Sequence, residues 1–130
     1  MKLAVIGSRT FSNRDLLFKC LDPLKDKIGC VVSGGSIGAD RLAEAWADDR
    51  GLPKKIFPAD WGNLDAFGAV VRTHAKTGKP YNVLAGFDRN KDIIDFADVV
   101  LAFWDGKSKG TANSIKLAQD QGKPVKIVYI

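Results

Sequence analysis

Histidine occurs once in this chain, at His74, and cysteine twice, at Cys20 and Cys30. That scarcity excludes much chemistry. A single histidine far from both cysteines leaves no metal-ligand spacing, so no metal site is expected. It also leaves no serine–histidine–aspartate arrangement for acyl transfer. His74 itself reads as a half-buried helix residue. The cysteines sit in apolar patterns, which suggests two reduced thiols and not a disulfide. No apolar run approaches the roughly 20 residues that a bilayer span needs. The apolar part of Met1–Gly7 is too short for a signal peptide. A cytoplasmic protein without membrane contact is therefore expected. Neither G-x-G-x-x-G nor G-x-x-x-x-G-K-[ST] occurs. Those two absences argue against a standard dinucleotide site and a P-loop, and no cofactor is expected.

What is present points to one compact domain. The chain has 130 residues, 45% of them apolar, enough for a full core in a single domain over 1–130. Its formal charge of +5 favours anionic ligands by long-range attraction. The lysines are scattered, with small clusters at Lys54-Lys55 and Lys107–Lys109, and form no basic run. Nucleic acid is accordingly not an expected partner.

Short apolar runs alternate with helical periodicity along the chain. Strands are expected at Leu3–Ile6, Cys30–Ser33, Lys55–Phe57, Val99–Trp104 and Pro124–Val128. Between them, Leu17, Cys20, Leu21 and Leu24 recur at helical spacing. Ser12 reads as the cap of that first helix, with Asp15 three residues on, and Pro23 as its end. Leu42, Ala43, Trp46 and Ala47 mark a second helix that Gly51 stops. Ile93, Ile94 and Ala97 mark another, opened by Ala85–Asn90, and Ala112, Ile115 and Ala118 the last. Strands separated by helices cannot form hairpins, so the sheet is expected to be parallel. The fold class is α/β: a single Rossmann-like, doubly wound domain with about five mainly parallel strands and helices on both faces.

From Trp61 to Leu84 the pattern weakens. Phe67–Ala75 reads as a helix and Thr77–Pro80 as a turn. The segment 61–84 is a candidate lid or oligomer contact exposing Phe67 and Tyr81. A homo-oligomer, with a two-fold dimer first, is expected.

In a doubly wound sheet, ligands bind beyond the carboxyl ends of the strands. Four marked loops fall there: Gly7–Thr10, Ser33–Arg41, Asp60-Trp61 and Asp105–Thr111. The second carries Gly34, Gly35 and Gly38 directly after a strand and before a helix. Glycine admits close backbone approach, and a helix N-terminus offers free N–H groups to an anion. The same residues also suit a tight turn with close helix–sheet packing. Arg9 follows the first strand, placed for a phosphate clamp or a surface ion pair. Ser36 and Thr111 offer hydroxyls or helix caps. Asp40 and Asp105 suit ribose hydroxyls or the local backbone.

Gly7-Ser8-Arg9, Ser33-Gly34-Gly35 with Gly38-Ala39-Asp40-Arg41, Asp60-Trp61, Ala85-Gly86 with Arg89-Asn90, and Gly110-Thr111 together resemble the SLOG superfamily. It is named for the DNA-processing Smf/DprA proteins and the Lonely Guy enzymes. Within it, the set is most similar to a small stand-alone branch found in phage and bacterial genomes. The resemblance implies a Rossmann-like domain that binds a nucleotide or nucleotide-derived ligand at these loops. The binding residues so implied are Gly7, Ser8, Arg9, Gly34, Gly35, Ser36, Gly38, Asp40, Arg89, Asn90, Gly110 and Thr111.

Lonely Guy enzymes hydrolyse the N-glycosidic bond of nucleoside monophosphates with a P-G-G-x-G-T-x-x-E motif whose glutamate is catalytic. Here Gly110-Thr111 match its phosphate-binding part, and Ser114 stands where the glutamate belongs. The expectation is therefore binding without turnover. The alternative is an N-glycosidase in which Asp40, Glu44 or Asp105 replaces the missing carboxylate. A single-stranded DNA binder is a more distant alternative.

Overall fold

A computed structural model describes residues 1–59, 71–73, 80–82 and 85–130. Its main sheet has five strands, β1 (Lys2–Gly7), β2 (Cys30–Ser33), β3 (Lys54–Ile56), β6 (Val99–Trp104) and β7 (Val125–Tyr129). They run in the order β3-β2-β1-β6-β7, and every neighbouring pair is parallel. The expected parallel α/β sheet is the fold observed. The third and fifth strands each sit one residue away from the expected bounds.

Alternation along each strand sorts the core into two layers. Leu3 and Val5 of β1, Val31 of β2, and Leu101 and Phe103 of β6 face one side. There they meet Leu17, Phe18 and Leu21 of α1 (Arg14–Leu21) and Ala43, Trp46 and Ala47 of α2 (Ala39–Asp49). Ala4, Ile6, Val32, Val100 and Ala102 face the other side. They pack on Ile93, Ile94 and Ala97, in and just beyond α3 (Ala85–Phe96), and on Ile115 and Ala118 of α4 (Lys109–Asp120). The central strands β1 and β6 are buried on both faces, which is why they read as unbroken apolar runs.

Local chemistry sets the helix ends. Asn13, not Ser12, caps α1: its Oδ1 accepts from the Leu16 amide at 3.0 Å. Asparagine presents a carbonyl oxygen at the usual capping reach, so the capping signal shifts by one residue. Pro23 follows α1 and opens a 3₁₀ turn over Asp22–Lys27. Gly51 ends α2 at φ +68°, the left-handed geometry that glycine takes without strain.

The expected helix over Phe67–Ala75 is overturned where the structure describes it. Val71–Thr73 is a strand, β4, paired antiparallel with Pro80–Asn82, β5. Two β-branched residues, Val71 and Thr73, favour extended backbone there. Pro80, expected in a turn, opens a strand, where its missing N–H is tolerated. His74, Trp61 and Phe67 lie outside the described residues, as does most of the segment proposed as a lid.

The chain leaves β1 for β2 and β3 on one side and resumes at β6 and β7 on the other. The order therefore reverses between β1 and β6, and the loops after those two strands diverge there. That divergence opens a crevice at the carboxyl ends.

Candidate functional site

Close packing locks the first two loops together. A Cβ on Gly7 would stand 2.6 Å from the Ala39 Cβ and 2.7 Å from the Phe103 carbonyl. At Gly38, φ is +89°, and a Cβ would come within 2.5 Å of the Ser8 carbonyl. Only glycine fits either place, and α2 is thereby seated directly on the end of β1. Gly38 thus has a packing role between two loops.

Ser8 follows β1, its amide donating to the Phe103 carbonyl at 3.1 Å. The residue is 3% exposed. Its hydroxyl makes no hydrogen bond of good geometry among the described residues. The Asp105 carboxylate is near enough to feel that hydroxyl, but from outside hydrogen-bonding geometry. An orphaned buried hydroxyl is costly and rare in a finished core.

The second loop is organised by buried side chains. Ser33 Oγ lies 2.8 Å from Glu44 Oε2 and 3.3 Å from the Asp40 carbonyl, and accepts from the Gly35 amide at 3.2 Å. Asp40 Oδ2 accepts from the Ser36 amide at 3.3 Å. Burial pushes the Asp40 carboxyl up to about 6, against the opposing pull of the Ser36 amide and of Arg89, and with help from Glu44.

Arg89, in α3, reaches across the sheet ends. Its Nη1 donates to the Gly34 carbonyl at 2.6 Å and to the Phe57 carbonyl at 3.4 Å, and its Nε to Asn90 Oδ1 at 3.1 Å. Nη2 makes no hydrogen bond among the described residues. Burial, together with the nearby charge of Arg9, lowers the Arg89 pKa, while Asp40 opposes that. Two guanidiniums that repel across a crevice favour an anion between them.

The third loop is held by Asp105, whose Oδ1 accepts from the Lys107 and Ser108 amides at 2.8 Å each. Those amides, Ser108 first, hold its carboxyl below the usual range. Gly110 lies in the first turn of α4, and not in the loop as the sequence suggested. A Cβ there would meet nothing within 4 Å, so packing does not require glycine. Its backbone is simply left bare, with its carbonyl 3.4 Å from Asn90 Nδ2. Neither Gly38 nor Ser108 caps its helix with a side-chain bond, which leaves the first-turn amides of α2 and α4 unused by their caps.

These groups enclose a cavity of about 390 Å³ at the switch point. Of the expected binding residues, Gly7, Ser8, Arg9, Ser36, Asp40, Arg89, Asn90, Gly110 and Thr111 line it, as does Asp105. Gly34, Gly35 and Glu44 do not. They line a neighbouring groove of about 670 Å³ that shares Arg9, Ser36 and Arg89 with the cavity. Gly38 lines neither. Sequence reasoning missed Ile6 and Ile93 as lining residues, while Thr10 and Ser108 lie in two of the marked loops without having been singled out. Ile6 and Ile93 read as core, and they are core that also floors the cavity. Ser108 carried the signal of a residue just before a helix. Ser114 lines the cavity too and is 2% exposed. No cluster of metal-ligating side chains occurs among the described residues.

Residues 1–63, which hold the first two loops, match the model of the YspA, cpYpsA-related SLOG family. The chain belongs to the SLOG superfamily. This SLOG chain is 30% identical over 132 residues to the Gene 61 protein of Mycobacterium phage D29, covering 95% of its own length and 93% of the phage protein. Its fold matches DNA processing protein A from Helicobacter pylori, studied for its single-stranded DNA binding mode, with a TM-score of 0.68 at 23% identity. That match covers 98% of the SLOG chain but only 64% of the Helicobacter one. A molybdenum cofactor binding protein from Rippkaea orientalis matches with a TM-score of 0.69 at 19% identity, over 99% of this chain and 76% of that one. At these identities the solved structures share the fold.

Proposed function

We propose that the protein binds a nucleotide or nucleotide-derived small anion in the cavity between β1 and β6. One observation carries this: among the described residues the buried Ser8 hydroxyl makes no hydrogen bond of good geometry, at a cavity that Arg89 and the uncapped first turns of α2 and α4 also face. A phosphate there gives the hydroxyl an acceptor and the amides a negative charge. The volume suits a small ligand. The shared fold of a cofactor-binding protein supports the small-molecule reading. The test is native mass spectrometry of the purified protein, alone and with added nucleoside monophosphates. A stoichiometric adduct with at least one of them supports the reading; its absence at millimolar ligand contradicts it.

Binding without turnover remains the reading preferred for the chemistry. Ser114 has no negative charge to offer a developing oxocarbenium sugar. Asp105 is committed to its own loop, and Glu44 lies in the adjoining groove. A second reading, the N-glycosidase, is favoured by Asp40 alone. It lines the cavity, and its carboxyl at about 6 suits proton transfer near neutral pH. Nucleic acid was not expected, and the likeness to a DNA-processing protein sits uneasily beside that expectation. Exposed Arg9, Arg41, Lys107 and Lys109 around these loops are the groups a strand would use.

No helix among the described residues is long and apolar enough to cross a membrane. Cytoplasmic location and a two-fold dimer stay part of this proposal. Light scattering at high micromolar concentration tests the dimer, and a monomer mass contradicts it.

A further inference from the structure

We propose that the groove beside the cavity seats the base of the ligand and that Glu44 selects a guanine-type edge there. The inference rests on the nucleotide reading above and adds the identity of the base. Groove and cavity meet at Arg9, Ser36 and Arg89, so a phosphate in one leaves the remainder of a nucleotide beside the other. The groove offers what a planar ring needs. Ile37, Ile56 and Pro58 line it. Ile37 is 55% exposed, and the other exposed large apolar residues among those described, Met1, Tyr129 and Ile130, lie at the chain ends.

Glu44 supplies the polar reading head. It is half-buried on α2, and its Oε2 lies 2.8 Å from the Ser33 hydroxyl. Ser33 is fully buried and has a single proton to give, which that shorter contact directs to Glu44. The carboxylate is thus fixed before any ligand arrives, with lone pairs remaining on both oxygens. An ionised carboxylate accepts hydrogen bonds and donates none. Of the common bases, guanine presents two adjacent N–H donors on one edge, the ring N1–H and the 2-amino group. Adenine and cytosine set a ring-nitrogen lone pair beside their amino group. Uracil flanks its N–H with carbonyls. Each of these three puts an acceptor against the carboxylate.

The test is calorimetric titration with GMP, IMP, AMP and ribose 5-phosphate, of the wild type and of Glu44→Gln. IMP keeps N1–H and lacks the 2-amino group, so the wild-type comparison needs no variant. The wild type is expected to bind GMP about tenfold or more tighter than IMP, the loss expected for one charge-assisted bond, and AMP more weakly still. In Glu44→Gln the preference for GMP over AMP collapses. Equal affinity for all three nucleotides, or preference for AMP, overturns the base assignment. Ribose 5-phosphate binding in that case leaves the nucleotide reading standing. Failure of ribose 5-phosphate and every nucleotide to bind overturns both.

Discussion

The guanidinium of Arg89 lies against Gly34. Its Nη1 donates to the Gly34 carbonyl at 2.6 Å, and a methyl group on Gly34 would overlap the guanidinium itself. Glycine at 34 therefore sets where the Arg89 guanidinium rests. Gly34→Ala should displace this flexible arm. Stability should fall by about 1 kcal/mol, the worth of one hydrogen bond, while nucleotide affinity falls about tenfold through the misplaced charge. Gly34→Ala and Arg89→Ala should be strongly sub-additive in affinity, because both remove the same contact. Additive losses by calorimetry would show that Arg89 does not act through Gly34.

Ser8→Ala separates function from fold. The variant removes a buried hydroxyl that has no well-formed bond among the described residues. Denaturant unfolding should show stability unchanged or raised, by up to about 1 kcal/mol, since no native bond is lost. Nucleotide affinity should nevertheless fall. Destabilisation by several kcal/mol with affinity intact would make Ser8 a structural residue.

The sheet was legible because β1, β2 and β6 are buried on both faces and so read as continuous apolar runs. The edge strand β3 was less so. Lys54 and Lys55 are exposed there, and its bounds moved by a residue. The stretch around Val71–Thr73 misled because a short apolar run has no period long enough to separate helix from strand. The loops of the site were legible from glycines after strands, but the tasks of those glycines were not. Gly7 and Gly38 are demanded by packing, and Gly110 is not, a distinction that depends on how α2 is seated against β1 and β6. The groove beside the cavity was invisible for the same reason. It is lined by the end of β3 and by α2, two elements that no local pattern places side by side.

Asp40 should leave a signature in the pH dependence of stability. Its folded pKa of about 6 stands above the ordinary 3.8. The folded state therefore holds the proton more tightly, and the contribution of Asp40 is full below pH 4 and lost as pH rises through 6. A rise of about two units corresponds to roughly 3 kcal/mol. Compared with the wild type, Asp40→Asn should gain up to that amount of relative stability between pH 4 and pH 7. A difference between the two proteins that does not vary with pH would place the Asp40 carboxyl at its ordinary value.

Incubation with nucleoside monophosphates should release no free base beyond a protein-free control, as judged by chromatography. Ser114 and the committed Asp105 are the reasons. Release at about one per second, the low end of ordinary turnover, and lost in Asp40→Asn, would instead make the protein a hydrolase with Asp40 as its acid.

The crevice between β1 and β6 is proposed to receive the anionic part of a nucleotide. Amide chemical shifts followed by ¹⁵N–¹H NMR during titration with a nucleoside monophosphate test it most directly. Saturable shifts are expected at Ser8, Arg9, Ser36, Asp40, Gly110 and Thr111, with little change along β7. No shifts at millimolar nucleotide, or shifts confined to surfaces away from these residues, would contradict it.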